Sequence, residues 1–167
     1  MTMVVHGFAA VAFAGSMIYA AISDLRTFLI PNWISIVIVL AFVPAALAKG
    51  FDGMAVLRHL AAGAAMLAVG FVLALRWIGG GDAKLLAASA VWVGASDLLI
   101  YAFTVAVVGA VVTLLLIGFR RSPLSGRLGA RPWVRRLHSR SEGVPYGVAI
   151  AVATLIVVPR LPIVGWA

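Results

Sequence analysis

The chain has 167 residues, of which 64% are hydrophobic and only 11% charged, and its formal net charge is +8. Its mean hydropathy of +1.15 and its long apolar runs exclude an ordinary soluble domain and indicate an integral membrane protein. Because the chain contains no cysteine, disulfides, thiolate zinc sites and cysteine nucleophiles are excluded too.

The hydrophobic pattern predicts an all-α membrane protein with about six transmembrane helices, forming a single domain over residues 1–167. In chain order, these helices are expected over residues 4–23, 31–48, 59–78, 83–94, 96–119 and 144–159. The first lacks the basic flank of a signal peptide and is predicted to be retained. The fourth is short for a span, so a merged or re-entrant element is an alternative there.

Short polar segments separate the first helices. Asp24 and Arg26 are expected to end the first one, and residues 24–30 to form a polar turn. Pro31 suits the first position of the second helix, because its missing N–H would be unpaired there in any case. Pro44 predicts a kink or an early end of that helix.

Three consecutive glycines interrupt the chain after the third helix, where Arg76 and Trp77 are expected to anchor it at the interface. Glycine loses much backbone entropy in a helix, so the run predicts a break where the backbone can turn or approach a ligand. Asp82 follows the run directly, and Lys84 comes two residues later. Asp82 is therefore expected at a helix start near a membrane surface.

Positive charge is concentrated late in the chain. Seven of the thirteen Lys and Arg residues fall between Arg120 and Arg140. We interpret residues 119–142 as a basic cytoplasmic loop that meets anionic lipid headgroups, and not as a nucleic-acid-binding site. Within it, residues 133–137 are a candidate for a helix on the lipid surface. Residues 161–167 form a tail whose Trp166 suits an interface.

The distribution of charge also predicts orientation. Residues 24–33, 76–84 and 119–142 hold ten Lys and Arg residues, whereas the segments assigned to the other side hold three. The positive-inside rule places the first group in the cytoplasm and both termini outside. Two helices separate Asp24 from Asp82, so both acids are predicted on the cytoplasmic face although they are 58 positions apart.

Asp24 and Asp82 are the candidate catalytic residues. Ionisable groups at membrane depth are costly, so they tend to be paired or retained for function. If the first and third helices pack side by side, the two carboxylates approach each other and share one proton. Such a pair suits aspartic hydrolysis, in which one carboxylate activates water and the protonated one polarises the scissile carbonyl. Asp24 is expected near a helix C-terminus, which disfavours its ionised form, and Asp82 near a helix N-terminus, which favours it. This difference favours Asp82 as the base and Asp24 as the acid.

Simpler explanations are open for the same residues. Asp82 is a suitable N-cap for the fourth helix, and Asp24 could be an interfacial charge paired with Arg26. Lys84 is a positive-inside residue, unless it tunes Asp82 or binds a substrate carbonyl. The remaining acids are expected to be solvated: Asp52, Asp97 and Glu142. The three histidines lack ligand spacing, so no metal site is predicted; they are His6, His59 and His138.

At the two acids the sequence resembles the type IV prepilin leader peptidases, membrane aspartic proteases with a Gly-x-Gly-Asp motif. Residues 79–85, Gly-Gly-Gly-Asp-Ala-Lys-Leu, are similar to the second catalytic segment of that family. Asp24, Arg26 and residues 30–32 are similar to the first, and residues 144–149 resemble the proline-led start of the last helix. Presenilin-like proteases share the Gly-x-Gly-Asp motif but carry Tyr before the first acid. This chain has Ser23 there, which argues against a resemblance to them.

The resemblance implies an endopeptidase of the plasma membrane, with its active site facing the cytoplasm. Its substrate would be a prepilin or pilin-like protein, cut after a glycine that precedes the apolar helix. Asp24 and Asp82 would be the catalytic pair, without a cofactor. The glycine run would let an extended peptide approach the backbone, so the candidate substrate-binding residues are Gly79, Gly80, Gly81 and Lys84.

The resemblance also has a departure. Larger members carry a cytoplasmic zinc-binding domain with paired CxxC motifs, which this chain lacks, so N-methyltransferase activity is not expected. The size and the Pro-Tyr-Gly segment are more similar to the short peptidases of tight-adherence (Flp) pilus systems or to the archaeal preflagellin peptidases.

Two other classes of function are alternatives. A small transporter or proton- or cation-conducting protein could use the two acids as a relay. It would need further polar groups along the helices, and the sequence offers few: Ser16, Tyr19, Thr104 and Thr113. In a structural subunit of an export machine, both acids would be dispensable.

Overall fold

The computed structural model describes residues 2–76, 79–124, 126–161 and 163. Within these ranges the chain is helical and has no β-strand. The helices are α1 (Thr2–Thr27), α2 (Asn32–Ala48), α3 (Gly53–Ala74), α4 (Gly80–Val93), α5 (Leu98–Arg121), α6 (Gly126–Gly129), α7 (Pro132–His138) and α8 (Tyr146–Val157), followed by a 3₁₀ turn (Val158–Arg160). The anchors predicted at Trp77 and Trp166 lie outside the described residues.

Three helices are long and apolar enough to cross a bilayer, over Gly7–Thr27 in α1, Gly53–Ala74 in α3 and Leu98–Arg121 in α5. The apolar helices α2 and α8 have 17 and 12 residues, and α4 has 14. At 1.5 Å per residue, α4 is about 21 Å long, which is less than the hydrocarbon core of a bilayer. The predicted all-helical membrane protein is confirmed, whereas the number of complete spans stays a prediction.

The end of α1 differs from the prediction. The helix continues past Asp24 to Thr27, so half of the expected polar turn is helical. The Thr27 hydroxyl donates to the Ser23 carbonyl at 2.8 Å, and the Ser23 hydroxyl donates to the Leu29 carbonyl at 2.8 Å. Phe28, with a φ of 56°, then ends the helix in the left-handed conformation.

The predicted boundaries of α2 and α3 also need correction. Pro31 is the N-cap of α2 rather than its first residue, and the helix runs through Pro44 to Ala48. The helix therefore ends at Ala48 as predicted. Of the two alternatives at Pro44, the early end is wrong, because packing of the buried residues around it outweighs one lost backbone bond, and the kink stays a prediction. α3 starts six residues earlier than predicted, since Asp52 is not merely solvated but caps it, accepting from the Ala55 N–H at 2.6 Å.

The short helix α4 is the centre of the fold. It packs against α2, α3 and α8, and nearly all its side chains are buried. At its C-terminal end, Trp92 stacks on Phe13 of α1 and donates from Nε1 to the Ile38 carbonyl at 2.8 Å. In its middle, Ser89 bonds to Tyr101 of α5, which reaches Thr154 of α8. These contacts fix α4 against the other helices.

The buried hydroxyl network differs from the polar groups that the sequence analysis considered. Ser89, Tyr101 and Thr154 are completely buried, whereas Tyr19 is 49% exposed. Ser89 and Thr154 also donate to carbonyls of their own helices, at 2.9 Å to Leu85 and 2.6 Å to Ile150. The network is therefore satisfied within the helix bundle.

The basic loop contains two short helices, α6 and α7. α7 includes residues 133–137, the segment predicted to form a helix on the lipid surface. Arg120 ties the loop to the bundle, donating to the carbonyls of Leu137 and Gly143 at 2.9 and 2.8 Å. Glu142 is not simply solvated, because it pairs with Arg136 at 3.4 Å. At the start of α5, Asp97 occupies the N-cap position but its carboxylate accepts from Ser96 instead of capping the helix.

Candidate active site

Asp24 and Asp82 line the same cavity, which has a volume of about 150 Å³. Both side chains are buried, with 4% and 7% exposure, and their charges interact. The other lining residues come from the turn after α1 and from the glycine run: Phe28, Leu29, Ile30, Asn32, Gly79, Gly80 and Gly81. The two acids are thus close together, as the sequence analysis expected.

The helices that bring the acids together are not the expected ones. Side-by-side packing of α1 and α3 was predicted, but α1 packs on α2 and α8, and α3 packs on α4. α2 and α8 both contact α1 and α4, so they bridge the two helices that carry the acids. That prediction was wrong because α8, from the far end of the chain, packs against α1.

Asp82 lies within the first turn of α4, not before it. α4 begins at Gly80, so Gly80 and Gly81 are helical, and of the three glycines only Gly79 lies outside the helix. The Oδ2 atom of Asp82 accepts from the Gly79 N–H at 2.9 Å. Because glycine has no side chain to reciprocate, this is one half of a capping box, and Asp82 is not the N-cap itself.

Asp24 lies on the inward side of α1, one turn before its end. The alternative of an interfacial pair with Arg26 is not supported, because Asp24 is buried and Arg26 is exposed. Residues two apart on a helix point to different sides. Among the described residues, an ion pair within 4.0 Å joins Arg136 and Glu142, and none involves Asp24.

Each carboxylate has one free oxygen inside the protein. In the part of the chain that the structure describes, Oδ2 of Asp24 and Oδ1 of Asp82 are buried and have no hydrogen-bond partner. Buried polar atoms are nearly always paired, so two unpaired carboxylate oxygens in one cavity require an explanation. Both are available to a water molecule or a peptide group.

The first turn of α8 faces both acids. The amides of Gly147 and Val148 face the Asp24 carboxylate, and that of Gly147 also faces Asp82. The first N–H groups of a helix lack partners within the helix and attract negative charge. Asp24 therefore belongs to the last turn of α1 and faces the first turn of α8. Because these two helix ends have opposite effects on a negative charge, they do not identify which carboxyl is the acid and which is the base.

Gly147 is the site residue that the sequence analysis did not single out. A Cβ atom at this position would lie 2.8 Å from Oδ2 of Asp24 and 2.5 Å from Cδ1 of Ile30. Only glycine lets α8 approach the acid this closely. The available signal was the glycine two residues after Pro145, at the start of a predicted helix.

The candidate substrate-binding residues have different surroundings. A Cβ atom at Gly81 would lie 3.2 Å from Cβ of Ile30, whereas one at Gly80 would meet no atom within 4 Å. Gly81 thus allows α4 to pack closely, while Gly80 faces open space. Lys84 donates from Nζ to Oδ1 of Asn32 at 2.9 Å, which links α4 to the start of α2. Its role toward a substrate stays a prediction.

Within the described residues, no group of three or more His, Asp or Glu side chains is placed to hold a metal ion. His59 bonds through Nδ1 to the Val91 carbonyl at 2.7 Å and packs against Phe42 and Phe51. Its position is accounted for by the packing between α3 and α4.

Comparison with known protein families gives a match to the type IV leader peptidase family over residues 11–114. This segment is more than half of the chain and includes both Asp24 and Asp82. Neither the curated proteins nor the solved structures contain a match. On the extent of the family match, the chain belongs to the type IV leader peptidase family.

Proposed function

We propose that this membrane peptidase is of the aspartic type and removes the leader from type IV prepilins or pilin-like proteins. The observation that carries the proposal is the pair of buried carboxylates, Asp24 and Asp82, which share one cavity and each keep one oxygen without a partner among the described residues. Membership of the leader peptidase family supports the type of substrate.

The two acids divide the chemistry between them. Carboxylates this close hold a single proton, because two adjacent negative charges in a buried site repel each other. The ionised carboxylate takes a proton from water, and the water oxygen attacks the scissile carbonyl carbon. The protonated carboxyl donates a hydrogen bond to the carbonyl oxygen. The C–N bond then breaks, and the departing nitrogen takes up a proton from the pair.

The proton of the resting pair belongs to both acids. The sequence analysis favoured Asp82 as the base, but α8 presents its first amides to both carboxylates. Strongly coupled acids titrate as a unit, so the bound substrate determines which carboxyl acts as the base and which as the acid. The first turn of α8 stabilises the negative charge of the pair throughout.

The glycine run suits the approach of an extended peptide. Gly80 faces open space beside the cavity, so the peptide backbone can approach it without meeting a side chain. Lys84 is exposed and lies at the same end of α4, where its ammonium can meet a substrate carbonyl or a lipid headgroup.

We place the site at the cytoplasmic face of the plasma membrane, in a six-span arrangement with both termini outside. The basic loop supports this orientation, because Arg120 binds the Gly143 carbonyl shortly before the α8 turn that faces the acids. The loop is then on the same side as the pair and meets anionic lipid headgroups.

The test is co-expression with a candidate prepilin, followed by separation of the precursor and the mature protein on a gel. We expect the unaltered chain to remove the leader, and Asp24→Asn and Asp82→Asn to leave the precursor intact. Asp97→Asn, at a half-buried carboxylate beyond the opposite end of α4, is the matched control and retains processing. Full processing by both dyad variants excludes the aspartic mechanism.

A transporter that uses the acids as a relay remains the competing class. The hydroxyls of Ser89, Tyr101 and Thr154 lie between the two ends of the bundle, but they bond to one another and to backbone carbonyls. Proton or cation uptake by liposomes containing the protein, in the absence of any leader removal, would favour that class.

A further inference from the structure

A large apolar groove lies between α3 and α5, separate from the cavity of the acids. Its volume is about 660 Å³, and Met66 and Leu73 of α3 form part of one wall. Ala106 and Ala110 of α5 form part of the other, with Leu86 of α4 between them. Because α3 packs mainly on α4 and α5 mainly on α8, the two walls stand apart.

Five of the seven α5 residues that line the groove have small side chains at helical spacing, and the other two are Val105 and Leu114. The five small ones are Ala102, Ala106, Gly109, Ala110 and Thr113. In membrane proteins, small residues on one helix face permit close packing of a second helix. Thr113 adds no unpaired polar group, since its hydroxyl donates to the Gly109 carbonyl at 2.7 Å. Across the described part of the chain, no helix packs into this groove.

One end of the groove is next to the acids. Tyr146 lines the groove, and the following residue, Gly147, is the one that approaches Asp24. On α4, Leu86 lines the groove and lies four residues after Asp82, which places the two on the same side of the helix. One end of the groove therefore lies near the acids on two different helices, although the groove and the cavity share no lining residue.

A second groove, of about 380 Å³, lies between α2 and α3. On α4 it is lined by Lys84, Ala87, Ala88 and Val91, which follow Asp82 by two, five, six and nine residues. At about 100° per residue, these positions lie on the far side of α4 from the acid. A chain that occupies this second groove would have to pass around α4 to reach the acids.

We infer that the groove between α3 and α5 receives the apolar helix of the prepilin substrate. This rests on the proposed function. The helix follows the cleaved bond directly, so it must start at the acids and enter the bilayer from there. Both grooves are apolar and present small residues for close helix packing, so the face of α4 decides between them. The groove between α3 and α5 includes Leu86, on the same face of α4 as Asp82, whereas the second groove lies on the other face.

Because the chain has no cysteine, single cysteines report the position of the substrate helix directly. The probe is a designed prepilin with a basic leader, a glycine and an apolar helix of about 20 residues that carries one cysteine near its start. In an Asp82→Asn background, which keeps the precursor intact, we place Ala106→Cys or Ala110→Cys in the groove. The controls are Ala64→Cys in the second groove and Val111→Cys, on the 49% exposed opposite face of α5.

After oxidation in membranes, we expect the disulfide-linked product at Ala106→Cys or Ala110→Cys to exceed that of both controls at least about tenfold. Cross-linking mainly at Ala64→Cys or Val111→Cys overturns the inference. The absence of any cross-link overturns it too, and is the result expected if the groove holds only lipid.

Leader removal by the unaltered chain, assayed with the same probe, separates this inference from the proposed function. If the leader is removed but the cross-links form elsewhere, the proposed function stands and the inference about the groove is wrong. If the unaltered chain removes no leader, both proposals fail. As a second measurement, Ala110→Trp fills the groove and is expected to slow leader removal at least about tenfold, whereas Val111→Trp on the opposite face changes it little.

Discussion

The two ends of α4 differ in how their polar groups are satisfied. At the C-terminal end, the Trp92 N–H and the His59 ring both bond to backbone carbonyls, at 2.8 and 2.7 Å, within a cluster of aromatic rings. At the N-terminal end, Asp24 and Asp82 each keep a buried oxygen without a partner among the described residues. The first end is built for stability, whereas the second keeps unpaired groups that a reaction can use.

This comparison predicts that the ends respond in opposite ways to substitution. The largest effect is expected on activity at the acids. Asp82→Asn should lower the rate of leader removal by about 10³-fold or more, because the pair acts as a unit. It should not lower thermal stability in detergent, since the Asn oxygen can still accept from the Gly79 N–H and the side chain no longer brings an ionisable group into a buried site. A marked loss of thermal stability in Asp82→Asn would contradict the assignment of this end to function.

At the other end the expected effect is on stability. Trp92→Ala should destabilise the fold by about 3–5 kcal/mol, through the cavity left by a completely buried indole. Trp92→Phe keeps most of the packing but loses the hydrogen bond from Nε1 to the Ile38 carbonyl, at a cost of about 0.5–1.5 kcal/mol, since that carbonyl still accepts from its own helix. Thermal unfolding in detergent measures both. If Trp92→Ala abolished leader removal without changing stability, the division between the two ends would be wrong.

Gly147 tests the contact between α8 and the acids. In Gly147→Ala, the new Cβ would lie 2.8 Å from Oδ2 of Asp24, so the carboxylate has to shift. Misplacing a catalytic group by a fraction of an ångström to an ångström costs up to about 10²-fold, and we expect leader removal to slow by about 10- to 100-fold. Gly143→Ala, where a Cβ meets no atom within 4 Å, is the matched control. Equal rates for the two variants would contradict the contact.

The smallest effect concerns the first turn of α4. Gly80→Ala should raise stability by up to about 1 kcal/mol, because alanine is favoured in a helix and the site is open. Gly81→Ala gains less, since its Cβ would lie 3.3 Å from the Ile30 carbonyl oxygen. Thermal unfolding of the two variants measures the difference in stability. A Gly81→Ala variant at least as stable as Gly80→Ala would exclude the tight contact between Gly81 and Ile30. Slower leader removal by the more stable Gly80→Ala protein would indicate that substrate approaches there.

The sequence by itself determined the class of protein and the location of both acids at the same end of the helices. Apolar runs predict helices because the backbone must satisfy its own hydrogen bonds in lipid. Counting the two helices between Asp24 and Asp82 was enough to place both at one end. Local chemistry was less reliable at boundaries: Pro44 lies inside α2, and Gly80 and Gly81 are helical, because tertiary packing outweighs their weak helix propensity.

Only the tertiary structure decided which helices surround the acids. Helices that are apolar on every side carry no amphipathic stripe, so the sequence does not reveal which faces meet. The approach of Gly147 to Asp24, the bridging by α2 and α8, and the groove between α3 and α5 all depend on contacts between segments distant in the chain. The pattern of residues supplied the two acids, and the packing of α8 against α1 and α4 supplied their surroundings.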